Sequence, residues 1–143
     1  MKDDKDRIEH IFRHYEELLK EKHDYEIEKD EEQRNRLIKC IRMDLIQMGE
    51  LVHHLSKETK SRLNPDDVSG VVSIRNIVVH GYSTIKDDYI WDTIDNYCPS
   101  LIEQLKKIIW VLTKIIRKEL ISSFLFSKVH ILCKLLNNLF FLW

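Results

Sequence analysis

The sequence predicts an all-α protein, an antiparallel bundle of four to five helices, and three observations carry that reading. In 143 residues there are only three glycines and two prolines, too few for the many tight turns of a β-rich fold. Apolar residues recur at spacings of three and four along most of the chain. Charged residues, 33 % of the total, arrive in mixed-sign runs, as on solvated helix faces. The length suits a single domain, and no linker, repeat or low-complexity tract interrupts residues 1–143.

The first helix is drawn by Ile8, Ile11, Phe12, Tyr15, Leu18 and Leu19, with Glu and Lys between them. The stretch from His23 to Glu32 is too polar to pack and is expected to hold the turn. Asp30 followed by Gln33 resembles a capping box and starts a second helix, whose stripe is Leu37, Ile41, Leu45, Met48, Val52 and Leu55. Asn64-Pro65-Asp66-Asp67 sets a capping side chain before a proline at the first helical position, opening a third, shorter helix. That helix is unusually apolar and β-branched: Val71, Val72, Ile74, Ile77, Val78, Val79. A buried strand competes there, but the cap and the helical surroundings favour helix, and Gly81 is placed to end it in a left-handed turn. A fourth helix is expected from Asp87 and Asp88, with Ile90, Trp91, Ile94, Leu101, Leu105, Ile108 and Ile109 facing inward and Pro99 kinking it. The tail from Leu112 to Trp143 carries apolar residues on more than one face. It must bury them in the core, a second subunit or a partner.

Cys40, Cys98 and Cys133 form no CxxC pair, so neither a disulfide framework nor a zinc ribbon is suggested; packed, reduced thiols are expected. The N-terminus lacks the apolar core of a signal peptide, and Lys128, His130 and Lys134 cut the C-terminal apolar stretches below the roughly 18 residues of a membrane span. A cytoplasmic protein, with no membrane or DNA partner and no cofactor, is the expectation.

Chemistry concentrates in Arg75-Asn76-Ile77-Val78-Val79-His80-Gly81-Tyr82. His80 is the residue type that passes a proton near neutral pH. Arg75 offers a planar fork of donors for a phosphate, and Asn76 a neutral hydrogen bond. Such an inventory suits metal-independent RNA cleavage. Residues five apart on a regular helix point about 140° from one another, so Arg75 and His80 share a face only if the helix ends or bends at His80, which Gly81 supplies. The net charge of −1 gives no global attraction for RNA, so basic groups must be gathered locally, as when two copies face each other across a two-fold axis. The same residues also suit a structural helix end, with the histidine near the dipole and the arginine paired to a carboxylate, Glu50 if the second and third helices pack.

The line resembles the R-N-x-x-x-H-x-Y signature of the HepT-type branch of the HEPN superfamily. Ile46-Gln47-Met48-Gly49-Glu50 resembles the family's I-x-x-G-E stretch, the loop Asn64-Pro65-Asp66 precedes the motif helix as in the family, and Tyr89–Ile94 and Pro99-Ser100-Leu101 resemble its fourth-helix segments. The likeness runs from about residue 6 to 107. The tryptophan often seen before the motif in relatives is missing from Asp67-Val68-Ser69-Gly70, and the tail from about 112 to 143 lies beyond the likeness. The resemblance implies a dimerising HEPN-like bundle and a metal-independent endoribonuclease toxin of a toxin–antitoxin system. It makes Arg75, His80 and Asn76 catalytic, with Gly81 and Glu50 in support. It also implies a minimal nucleotidyltransferase antitoxin that neutralises the toxin by AMPylation of Tyr82. The alternative is a non-catalytic helical module that binds RNA, nucleotide or a partner protein.

Other candidates carry less. His10 and His14 lie four apart beside Glu9 and Glu17, spacing that suits zinc but lacks a third ligand, and His53-His54 point in different directions. Trp91, Trp110 and Trp143 read as core or interface anchors, too sparse for a base-stacking platform. Nucleophile elbow, Walker loop and dinucleotide fingerprint are absent.

Overall fold

The computed structural model describes residues 2–79, 87–115 and 117–119, and among these the regular structure is helical with no strand. The chain divides into two compact units, Met1–Lys107 and Ile108–Trp143. In the first, α1 (Lys2–Ile27) and α2 (Glu31–His53) form an antiparallel hairpin: Asp4 meets Ser56 just past α2, and His14 meets Asp44. A short α3 (Lys57–Lys60) follows, then α4 (Pro65–Val79), α5 (Asp87–Asp92) and a π-helical turn (Thr93–Tyr97). Residues 98–107 are helical and close the unit. In the second unit residues 108–115 and 117–119 are helical, and Trp110 is exposed with the Lys114 ammonium 3.8 Å over its ring.

Local chemistry sets these boundaries. Asp30 Oδ1 accepts from the Gln33 N–H at 2.8 Å and starts α2, as its position before Gln33 predicts. Asn64 Oδ1 accepts from the Asp66 N–H at 2.9 Å, with Pro65 at the first helical position of α4. The short α3, which periodicity did not reveal, is opened by Ser56, whose side chain accepts from the Thr59 N–H. The π turn lies immediately before Pro99: the Cys98 N–H reaches back to the Thr93 carbonyl. Proline has no N–H for the carbonyl four residues earlier and its ring crowds that carbonyl, so a widened turn is the local answer to the kink expected there.

The core of the first unit is the predicted set of stripes. Ile8, Ile11, Leu18, Ile41, Leu45, Met48, Val52, Val71, Ile74, Ile90, Leu101 and Leu105 have no solvent exposure. Each such side chain stabilises the fold by roughly 1.5–3 kcal/mol relative to exposure.

The turn falls at residues 28–30, within the polar stretch from His23 to Glu32 as expected. The first part of that stretch, up to Ile27, is helical: the Tyr25 ring lies 5.2 Å from Trp91 and under the Arg34 guanidinium at 4.5 Å, while Lys22 Nζ bonds Asp95 at 2.5 Å. Two expectations are corrected. Leu19 is not a core residue but 43 % exposed. It stands about 100° around the helix from buried Leu18, past the edge of the stripe. Among the cysteines, Cys98 is buried, with its thiol pushed up to about 12 by burial, whereas Cys40 is exposed. Cys133 lies outside the described residues.

Candidate functional site

The seam between α2 and α4 starts from a glycine. A Cβ on Gly49 would stand 2.8 Å from the Val71 carbonyl oxygen and 3.2 Å from the Arg75 Cβ, so only glycine lets the two backbones meet there. That approach brings the next residue, Glu50, onto Arg75. Arg75 Nε donates to Glu50 Oε2 at 2.5 Å, and Arg75 Nη1 donates to Asn76 Oδ1 at 3.1 Å. The other carboxylate oxygen, Oε1, accepts from His54 Nε2 at 2.9 Å, one turn further along α2. Hydrogen bonds from Arg75 and then from His54 hold the Glu50 carboxyl below its ordinary range. The Arg75 side chain is mostly covered, at 22 % exposure, and Glu50 is more open at 39 %.

Two members of the sequence motif, Arg75 and Asn76, are therefore together and joined to Glu50 in the contact foreseen for it. His80, Gly81 and Tyr82 lie outside the described residues. Among the described residues Glu50 and Asn76 each engage one donor of Arg75, and the guanidinium has further N–H groups to offer an anion. An arginine fixed in orientation by a carboxylate and an amide can hold a phosphate and steady charge that develops on it.

Sequence reasoning undervalued the His53-His54 pair. Its rings lie 5.2 Å apart and nearly perpendicular, at 81°, and His54 completes the line Arg75–Glu50–His54. The four-residue interval between Glu50 and His54 was the available signal. Beside this line opens a cleft of about 290 Å³, lined by His53, Lys60, Pro65, Val68, Ser69 and Val72.

A second polar cluster occupies the α1–α2 seam. His14 Nδ1 lies 2.8 Å from Asp44 Oδ1 and 3.9 Å from Glu17 Oε2. Donor atoms of these three residues all fall within 4.8 Å of one another, so they are the set among the described residues best arranged for a cation. His10, the partner considered for His14, is not part of it. Next to Asp44 the Glu21 carboxyl is pushed up to about 7, first by burial and then by the Asp44 charge.

No described helix is long and apolar enough to cross a membrane. Compared with known proteins, residues 8–108 match the family model described as Ribonuclease HepT-like. No curated protein and no solved structure matches. The family match begins at Ile8, the first buried apolar residue of α1, and ends at the boundary between the two units.

Proposed function

The chain belongs to the HepT-like ribonuclease family, and from that premise we propose that it is the toxin of a toxin–antitoxin pair, a metal-independent endoribonuclease working as a homodimer. The observation that carries the reading is the held guanidinium of Arg75, fixed by Glu50 and Asn76 inside the matched region and at the head of the motif. A cation oriented before substrate arrives needs no reorganisation as charge develops, which is where electrostatic catalysis draws its effect.

In the proposed reaction the 2′-hydroxyl of one ribose attacks the adjacent phosphorus. Its proton passes to a base, the 2′-oxygen–phosphorus bond forms, and the bond to the 5′-oxygen breaks as that oxygen takes up a proton. Arg75 binds the phosphate and stabilises its crowded transition state, Asn76 assists, and His80 is assigned to proton transfer or to orienting the 2′-hydroxyl. The net charge of −1 supports a two-copy site, since one chain gathers little positive charge. Tyr82, two residues from His80, is the assigned site of AMPylation by a nucleotidyltransferase antitoxin; a phosphate-bearing adduct there would fill the place of RNA phosphate.

The deciding experiment is induced expression of the chain without any partner, wild type beside Arg75→Ala and His80→Ala, with RNA from each culture run on a gel. Growth arrest and fragmented RNA with the wild type, against healthy cultures making folded mutants, is the expected result. If all three cultures grow alike with intact RNA, the catalytic reading fails, and a helical module that binds RNA, nucleotide or a partner protein takes its place.

A further inference from the structure

We propose that the cleft between α2, α3 and α4 is a subsite for one unpaired nucleobase of the RNA strand, next to the phosphate held at Arg75. The proposal rests on the ribonuclease reading and adds to it the part of the substrate recognised beyond the scissile bond. Position is the first argument. Val72 precedes Arg75 by three residues on α4, and His53 follows Glu50 by three on α2, so the cleft begins about one helical turn, roughly 5 Å, from the arginine. A single nucleotide spans that step between its phosphate and its base.

Size and lining argue the same way. A volume of about 290 Å³ stands at the lower end of ligand pockets, enough for one flat heterocycle and too small for a folded nucleic acid. Pro65, Val68 and Val72 offer apolar walls, His53 an aromatic ring, Ser69 a hydroxyl and Lys60 an ammonium. Splayed-out bases of single-stranded RNA are recognised by this combination, a stacking ring with polar groups for the base edge. The Lys60 ammonium donates to the His53 carbonyl at 2.6 Å, which places a cationic group at the cleft wall, beside a strand that carries a negative charge at every phosphate. The His53 ring, in turn, abuts His54, which Glu50 ties to Arg75, so the phosphate-binding group and the cleft wall are parts of one connected arrangement.

The test uses the full chain and two readouts. Ser69 is exposed, so Ser69→Trp places bulk at the cleft with little cost in packing, and Val72→Phe fills it from within. With a fluorescent single-stranded RNA substrate, each variant is expected to raise KM roughly tenfold, with kcat within about twofold of wild type and an unchanged melting curve. The second readout is photo-crosslinking of a 2′-O-methyl oligonucleotide carrying 4-thiouracil, which the protein cannot cut, with adducts mapped by mass spectrometry. Adducts at His53, Pro65 or Lys60 that vanish in Ser69→Trp support the subsite. Cleavage by wild type with KM unmoved in Ser69→Trp and adducts elsewhere overturns it, while the ribonuclease reading stands. Where the wild type cuts no RNA, that reading fails and the crosslink alone decides. Adducts in the cleft uphold base binding, and their absence ends the proposal, leaving the cleft to another occupant such as a partner's side chain.

Discussion

Arg75 Nε and Glu50 Oε2 stand 2.5 Å apart across the α2–α4 seam, and the carboxylate is shared with His54 on its other oxygen. The pair is part-exposed, with Glu50 at 39 %, so its worth to folding is under about 1 kcal/mol. Its worth to orientation is a separate quantity. Glu50→Ala is expected to lower kcat for RNA cleavage by roughly tenfold or more while leaving the melting temperature within a few degrees. Glu50→Gln, which keeps an acceptor oxygen, is expected to fall between. A large loss of thermal stability with kcat retained would instead make Glu50 a structural strut. The sign in pH follows from the depressed carboxyl. The pair is intact above the unfolded carboxylate range, near pH 4, and is lost only as pH falls through the lower value in the folded protein.

Gly49 makes that pairing possible, and the consequence is measurable. In an ordinary helix interior Gly→Ala gains about 0.5–1 kcal/mol. Here the new methyl would meet the Val71 carbonyl oxygen at 2.8 Å, and a backbone atom cannot swing aside. Gly49→Ala is expected to destabilise by about 1–3 kcal/mol, read in a urea titration, and to weaken cleavage together with stability. A stabilised Gly49→Ala protein would mean that α2 and α4 do not approach this closely.

The sequence declared the fold through periodicity and caps because both are local. Asp30 with Gln33 and Asn64 with Pro65 mark helix starts within four residues, and the stripes from Ile8 to Leu105 name most of the core. The turn fell inside the polar stretch from His23 to Glu32, but composition did not place its edge: α1 runs on to Ile27, where the Tyr25 ring packs tilted against Trp91, far along the chain. The site was half legible. The motif located Arg75 and Asn76, and packing of the second and third helices was enough to suggest Glu50. For His54 the four-residue interval from Glu50 was the one signal, and the cleft was hidden, since a concavity between three elements leaves no pattern in one dimension. The Arg75–His80 relationship was inferred from helix geometry, and His80 lies outside the described residues.

Asp4 ties the start of α1 to the turn after α2. Its carboxylate accepts from the Ser56 N–H at 3.1 and 3.2 Å and from the Thr59 hydroxyl at 2.6 Å, and only 1 % of the residue is exposed. Burial alone would raise its pKa, but hydrogen bonds from the Ser56 and Thr59 side chains and the Ser56 N–H outweigh it, and the group is held below its ordinary value. The stability it contributes is therefore present above about pH 4 and lost as pH falls through the lower folded value. Asp4→Ala is expected to cost about 1–3 kcal/mol at pH 7, by leaving the Ser56 and Thr59 donors unmet. The mutant's deficit should shrink in chemical denaturation at pH 3, where the wild type also begins to lose the interaction. A deficit that is equal at both pH values would rule out the charged form as the source.

Glu21 works in the opposite sense. Burial first, and the neighbouring Asp44 second, raise its carboxyl from the ordinary 4.5 to about 7, with Glu17 and Asp24 adding to the shift. Its Oε2 has no solvent exposure and no hydrogen-bond partner among the described residues, as expected of a carboxyl whose charged form is disfavoured there. Between pH 4.5 and 7 the folded chain holds a proton that the unfolded chain has released, so this group's contribution declines as pH rises through that window and is fully lost above it. Replacing it with a neutral isostere removes the slope. Glu21→Gln is expected to match wild type near pH 5 and to exceed it at pH 8 by about 1 kcal/mol, discounted from the full shift because Glu21 is only partly buried. Thermal melts of the two proteins across this range, compared as a difference, cancel whatever is common to both. A difference that stays flat from pH 5 to 8 would show that Glu21 is ionised throughout and that α1 and α2 tolerate the Glu21–Asp44 charge pair.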